Sequence, residues 1–195
     1  MGNVYSIPWN NVAAGHYALT AVAVDNQSAS TTSVPVNLTV NPAPPPNFIT
    51  GVTLGAVRTN FSGFLGMKIT VGASPLTVTQ LGRYKLSGNS GAHSLKLVGA
   101  GTGADLAGGA ASVNLAGGIA GQFVYANLAA PLTLAANTAY YVATQETSGG
   151  DAWASFDTTV THTGVAGVDG SVNTLGGGWF PRATPNTTLG PVDFR

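Results

Sequence analysis

The chain has 195 residues, 7 Lys/Arg balanced by 7 Asp/Glu, and no cysteine. So sparse and balanced a charge set offers no footprint for a phosphate backbone or an anionic membrane surface, and nucleic acid is not expected as a partner; the lack of cysteine removes disulfides, thiolate nucleophiles and Cys-ligated zinc. With 27 Gly and 11 Pro and apolar runs of only a few residues, the chain favours short strands and tight turns and has no run near the ~20 apolar residues of a membrane span.

The start, MGNVYSIPWNN, has neither a basic n-region nor an apolar h-region, so any export signal is expected upstream. The first 40 residues read as about three strands: a short one around Ile7 to Trp9, the alternating HYALTAVAVDN, and SASTTSVPVNLTV. Tyr17 follows a Val-Ala-Ala-Gly-His turn, the place from which a corner tyrosine returns its hydroxyl to the backbone. Residues 5–40 resemble the last strands of bacterial immunoglobulin-like repeats, with their W-x-x-V-x-x-G-x-Y-x-L-T-A-x-A-x-D pattern, Thr/Ser-rich turn and final V-x-V strand. Such a sandwich needs about seven strands, so residues 1–40 are expected to form a partial immunoglobulin-like domain that the chain enters midway.

NPAPPPNF, residues 41–48, reads as a stiff proline-rich linker. From Ile49 onward, nine or ten short strands are expected between Gly, Asn and Pro turns, giving residues 49–195 as an antiparallel β-sandwich, jelly-roll-like. In FSGFLGMKITV, Phe61, Leu65, Met67, Ile69 and Val71 fall mainly on one face, and in PLTLAANTAYYV a second corner places Tyr140 and Val142 inside, with Tyr141 and Ala143 opposite.

Residues 50–195 resemble uncharacterised β-sandwich accessory modules of large secreted bacterial proteins, through an R-x-x-x-S-G-N-S-x-x-H strand and turn (Arg83 to His93) and a P-L-x-L-x-A-N-T-x-Y-Y corner. The resemblance implies a non-catalytic role beside immunoglobulin-like repeats or catalytic domains upstream, in a protein that is secreted or held at the cell surface.

Three histidines, His16, His93 and His162, lie far apart with no metal-ligand spacing. SGNSGAHSL is not a nucleophile turn, because no helix follows, and His93 is expected to pack beside Arg83 or Tyr84. QETSGGDAWASFDTTV, residues 145–160, gathers Glu146, Asp151 and Asp157. A Ser-Gly-Gly turn divides Glu146 from Asp151, and a compact sandwich of this length leaves little room for a deep glycosidase cleft, so no enzyme activity is expected. No cofactor is required, although the same three acids, with Asp169, offer oxygens for structural calcium outside any Asp-x-Asp-x-Asp-Gly loop.

The favoured reading is polysaccharide binding. If a regular strand begins near Ala152, Phe156 points inward and Trp153 outward. Trp153 could then stack on a pyranose while Asp151 and Gln145 bond its hydroxyls, with Trp179 or Tyr84 extending the surface. The alternative is a structural or adhesive spacer without a sugar ligand.

Overall fold

A computed structural model describes residues 6–43 and 46–195; residues 1–5, and Pro44 and Pro45 of the expected linker, lie outside it. The chain divides into two compact units, 1–45 and 46–195. Among the described residues all regular structure is β, and every strand pairing is antiparallel.

The first unit is one long hairpin with broken arms. Strands β1 (Gly15–Leu19) and β2 (Val22–Val24) form one arm, β3 (Ser30–Thr32) and β4 (Val36–Val40) the other, with β1 on β4 and β2 on β3. The second arm breaks beside Pro35, which has no amide to donate to a ladder. Asp25 holds the tip by accepting from the amides of Gln27 (2.8 Å) and Ala29 (2.9 Å). The short strand expected around Ile7 to Trp9 is absent; instead Trp9 packs edge-on against Tyr17 at 4.9 Å. Register places Tyr17, Leu19, Val36 and Leu38 on one face, and that apolar face stays open, with Val36 59% exposed.

The second unit runs through β5 (Ile49–Thr53), β6 (Val57–Arg58), β7 (Gly63–Val71), β8 (Leu76–Tyr84), β9 (Ala92–Gly99), β10 (Asp105–Asn114) and β11 (Phe123–Leu134). It continues with β12 (Ala139–Glu146), β13 (Trp153–Ala154), β14 (Thr158–His162), β15 (Ala166–Leu175), β16 (Gly178–Pro181), β17 (Thr187–Thr188) and β18 (Val192–Phe194). One layer is a six-stranded sheet in the order β10-β9-β12-β7-β15-β16. The other combines β11-β8-β18 with β5-β14-β17. These two halves are tied where the Phe48 amide donates to the Phe194 carbonyl (3.1 Å) and the Ile49 amide to Asp193 Oδ1 (2.9 Å).

Met67, Ile69, Tyr140 and Val142 of the six-stranded layer share a buried core with Val78, Leu81, Leu134 and Phe194 of the other. Each fully buried aliphatic contributes about 1.5–3 kcal/mol, the main term holding the layers together. The chain changes layer at most of its longer connections, as a jelly-roll-like sandwich requires.

The ten-residue strand β15 lies second from the edge of the six-stranded sheet, yet its AGVDGSVNTL sequence carries two glycines, a residue strands disfavour. Gly170 explains the mismatch: it lies in a bulge opposite β7, at φ 154°, and a Cβ there would lie 1.8 Å from the Arg182 carbonyl oxygen. The glycine marks a close backbone approach inside a strand, not its end.

Candidate functional site

The R-x-x-x-S-G-N-S-x-x-H stretch and the Glu146–Trp153 stretch meet at one end of the sandwich. Residues 140, 142, 144 and 146 alternate inward along β12, so Glu146 ends inside the protein, where Arg83 reaches it from the opposite layer. Arg83 Nε and Nη2 each donate to a Glu146 oxygen at 2.9 Å, and Nη2 also donates to the Ala152 carbonyl at 3.1 Å. Asn89 locks the same segment: its Nδ2 donates to the Ala152 carbonyl (2.8 Å) and its Oδ1 accepts the Ala152 amide (3.0 Å).

His93 completes this network, with Nε2 at 3.0 Å from Asp151 Oδ2 and Nδ1 at 3.0 Å from the Gln145 carbonyl. It lies 3.5 Å from Glu146 Oε1, which joins it to Arg83 through that carboxylate. Burial disfavours the charged imidazole, but the bond to Glu146 and the pull of Asp151 outweigh burial and Arg83 repulsion, holding its pKa above the ordinary value. Burial also pushes the Asp151 carboxyl upward; His93 and the amides of Gly91 and Ser90 overcome it and hold Asp151 below its usual range.

Of the expected calcium ligands, Glu146 and Asp151 both meet His93, whereas Asp157 and Asp169 have other partners. Glu146 is spent on Arg83, Asp151 on His93 and two amides, and Asp157 accepts the Ala56 amide at 3.0 and 3.1 Å. Asp169 pairs with Lys68 at 3.2 Å. Among the described residues no three His, Cys, Asp or Glu side chains converge.

The expected sugar platform is also dispersed. Trp153 is 7% exposed, packed with Leu65, Leu189 and Phe61, whereas Phe156 is 56% exposed. Strand β13 lasts only two residues, and a turn closed by the Thr158 amide on the Ser155 carbonyl (2.9 Å) carries Phe156 outward at its tip. The ring of Trp153 is thus part of a small core and not a stacking surface. Gln145 and Asp151 line an open depression of about 630 Å³ that has no aromatic wall. Trp179 covers Tyr141 on the outer face of the six-stranded sheet, ring centroids 5.0 Å apart.

Tyr84 lies in an aromatic cleft. Gly82 and Tyr84 of β8 stand beside Tyr125 and Phe123 of β11, on the outward side of the second layer. Tyr84 meets Phe123 edge-on at 5.2 Å, and Phe123 lies 6.1 Å from Tyr125. Tyr125 lies across Gly82, where any Cβ would come within 2.6 Å of its ring, so a side chain there would displace it.

Arg195 stacks at 3.9 Å from the Tyr125 ring centre, and the Tyr125 hydroxyl donates to Asp193 Oδ2 at 2.6 Å. Burial raises the Asp193 pKa to about 6, and burial with the Asp193 charge raises that of Tyr125. Asn47, Gln122 and Arg195 join the aromatics around a cleft of about 580 Å³. Sequence reasoning missed Phe123, Tyr125, Asp193 and Arg195; the period-two Phe-x-Tyr-x-Asn of β11 was the available signal.

No family model matches this chain, and neither the curated proteins nor the solved structures contain a significant match to it.

Proposed function

We propose that residues 46–195 form a non-catalytic carbohydrate-binding accessory module of a secreted, multimodular bacterial protein. The observation that supports this is the outward cleft in which Tyr84, Phe123 and Tyr125 are neighbours, edged by Asn47, Gln122 and Arg195. Aromatic surface takes the apolar C–H face of a pyranose, while the amides and guanidinium bond its hydroxyls and set orientation. The volume, within the range of about 300–1,000 Å³ usual for ligand clefts, accommodates a short saccharide segment.

The test is retention on a panel of insoluble neutral polysaccharides, comparing wild type with Tyr84→Ala. Retention that falls at least tenfold in the variant, at unchanged fold, supports the reading; equal retention, or none on any polysaccharide, removes it. The spacer reading is favoured by a different observation, the division into two compact units around a proline-rich stretch, and it expects no retention.

A further inference from the structure

A second cavity, separate from the Tyr84 cleft, opens beside β13 with a volume of about 280 Å³. Its lining includes Leu65, Leu189, Phe61 and Trp153, the small core that buried the expected stacking tryptophan. Arg58, Asn60, Asn173 and Arg182 also line it, and Phe156 stands exposed at its edge, 5.9 Å from the Arg182 guanidinium. No carboxylate is among the lining residues.

Two observations make this cavity more than packing. Trp153 Nε1 is a buried donor with no hydrogen-bond partner, and an indole nitrogen can only donate. Native structures rarely leave such a group unsatisfied.

The second observation is charge. Of the seven cations in the chain, Lys68, Arg83 and Lys96 pair with carboxylates. Among the described residues, neither Arg58 nor Arg182 lies within ion-pair distance of one. Arg58 Nε donates to Ser155 Oγ (3.1 Å) and Arg182 Nη1 to Asn173 Oδ1 (2.7 Å). These neutral contacts orient both guanidiniums without neutralising them, and each keeps further donors.

A cavity with two guanidiniums, no carboxylate and an apolar wall suits an oxyanion carried on a small body with an apolar face. Its volume, just under the usual range for ligand clefts, favours one ring over a chain of them. We infer that the cavity binds the carboxylate of a single acidic sugar residue, a uronate: Arg58 and Arg182 take the oxyanion, and the sugar ring rests against the Phe61–Leu65–Leu189 wall beside Trp153. The inference is independent of the Tyr84 cleft and stands if that cleft binds nothing.

The indole N–H resonance of Trp153, assigned by its loss in Trp153→Phe, reports the site directly in a ¹H–¹⁵N correlation spectrum. Titration of the full chain with D-glucuronate should move that resonance saturably, while D-glucose leaves it in place. Arg182→Gln, at an exposed position, should weaken the D-glucuronate response at least tenfold, and Lys68→Gln should not change it. The same response in Tyr84→Ala keeps this site distinct from the cleft. An immobile Trp153 resonance, an equal response to D-glucose, or undiminished binding in Arg182→Gln would overturn the proposal. Inorganic sulfate binding as tightly as D-glucuronate would also overturn it, by reducing the site to one for free oxyanions.

Discussion

Each unit of the chain has a corner tyrosine, and the two are held in opposite senses. The Tyr17 hydroxyl donates to the Ala13 carbonyl at 2.7 Å on an open hairpin, whereas the hydroxyl of Tyr140, a core residue of the two-layer sandwich, accepts the Ala135 amide at 3.0 Å in a partly buried bond. The local device is similar, but its energetic weight depends on what lies over it. A hydrogen bond that water can replace contributes little; one whose loss strands a buried group costs about 1–3 kcal/mol.

Hydrogen exchange gives the widest test of this contrast. Amides of β7 and β12, paired on both sides in the six-stranded sheet, should open only near the global unfolding free energy, typically about 5–15 kcal/mol. Those of Leu19 to Val24, in an arm of two short ladders under an open apolar face, should exchange orders of magnitude faster in the monomer. Strong protection there in a strictly monomeric sample would break the comparison.

The next largest effect belongs to the buried ion pair. Glu146→Ala leaves Arg83, 1% exposed, without its carboxylate, and should lower unfolding stability of the second unit by about 3–5 kcal/mol in a urea titration. Replacing both members by apolar residues of matched volume should recover much of that loss, because desolvation offsets most of the native pair's attraction.

Asp193 supplies a pH test. Its folded pKa is raised to about 6, chiefly by burial, so the protonated carboxyl is favoured by the folded state. That stability is fully present below about pH 4, the unfolded value, and is lost as pH rises through about 6. The whole change is at most about 3 kcal/mol. Midpoints measured from pH 4 to 7 should fall with rising pH in wild type, and Asp193→Asn should remove that part of the slope.

The smallest effects sharpen the tyrosine comparison itself. Tyr140→Phe leaves the Ala135 amide without its acceptor and should cost about 1–3 kcal/mol. Tyr17→Phe should leave the second unit's denaturation midpoint within about 0.5 kcal/mol. Tyr141→Phe is the internal control, since its hydroxyl makes no hydrogen bond among the described residues. Here the sequence led to the right corner, and the structure adds its polarity: the Tyr140 hydroxyl serves a backbone donor.

Alternation alone was enough to read β7 and β12, with Met67, Ile69, Tyr140 and Val142 on the core side. It failed where the chain bends. Trp153 and Phe156 do point apart, as parity demands, but a four-residue turn reverses which one faces the interior. Three-dimensional assembly hid the rest. Arg83 and Glu146 are 63 positions apart, and the Tyr84 cleft draws on β8, β11 and residues at both ends of the second unit. No local pattern announces such meetings, although the conspicuous Arg, Asn and His of R-x-x-x-S-G-N-S-x-x-H prove to be the parts of one internal network.

The hydrogen bond from the Phe48 amide to the Phe194 carbonyl brings the two ends of the second unit side by side. With its two ends adjoining, the unit is nearly a closed ring. A circular permutant that joins residue 195 to residue 46 through a short glycine linker and opens between Gly176 and Gly177, at the exposed tip of the β15–β16 hairpin, should therefore keep the same sandwich.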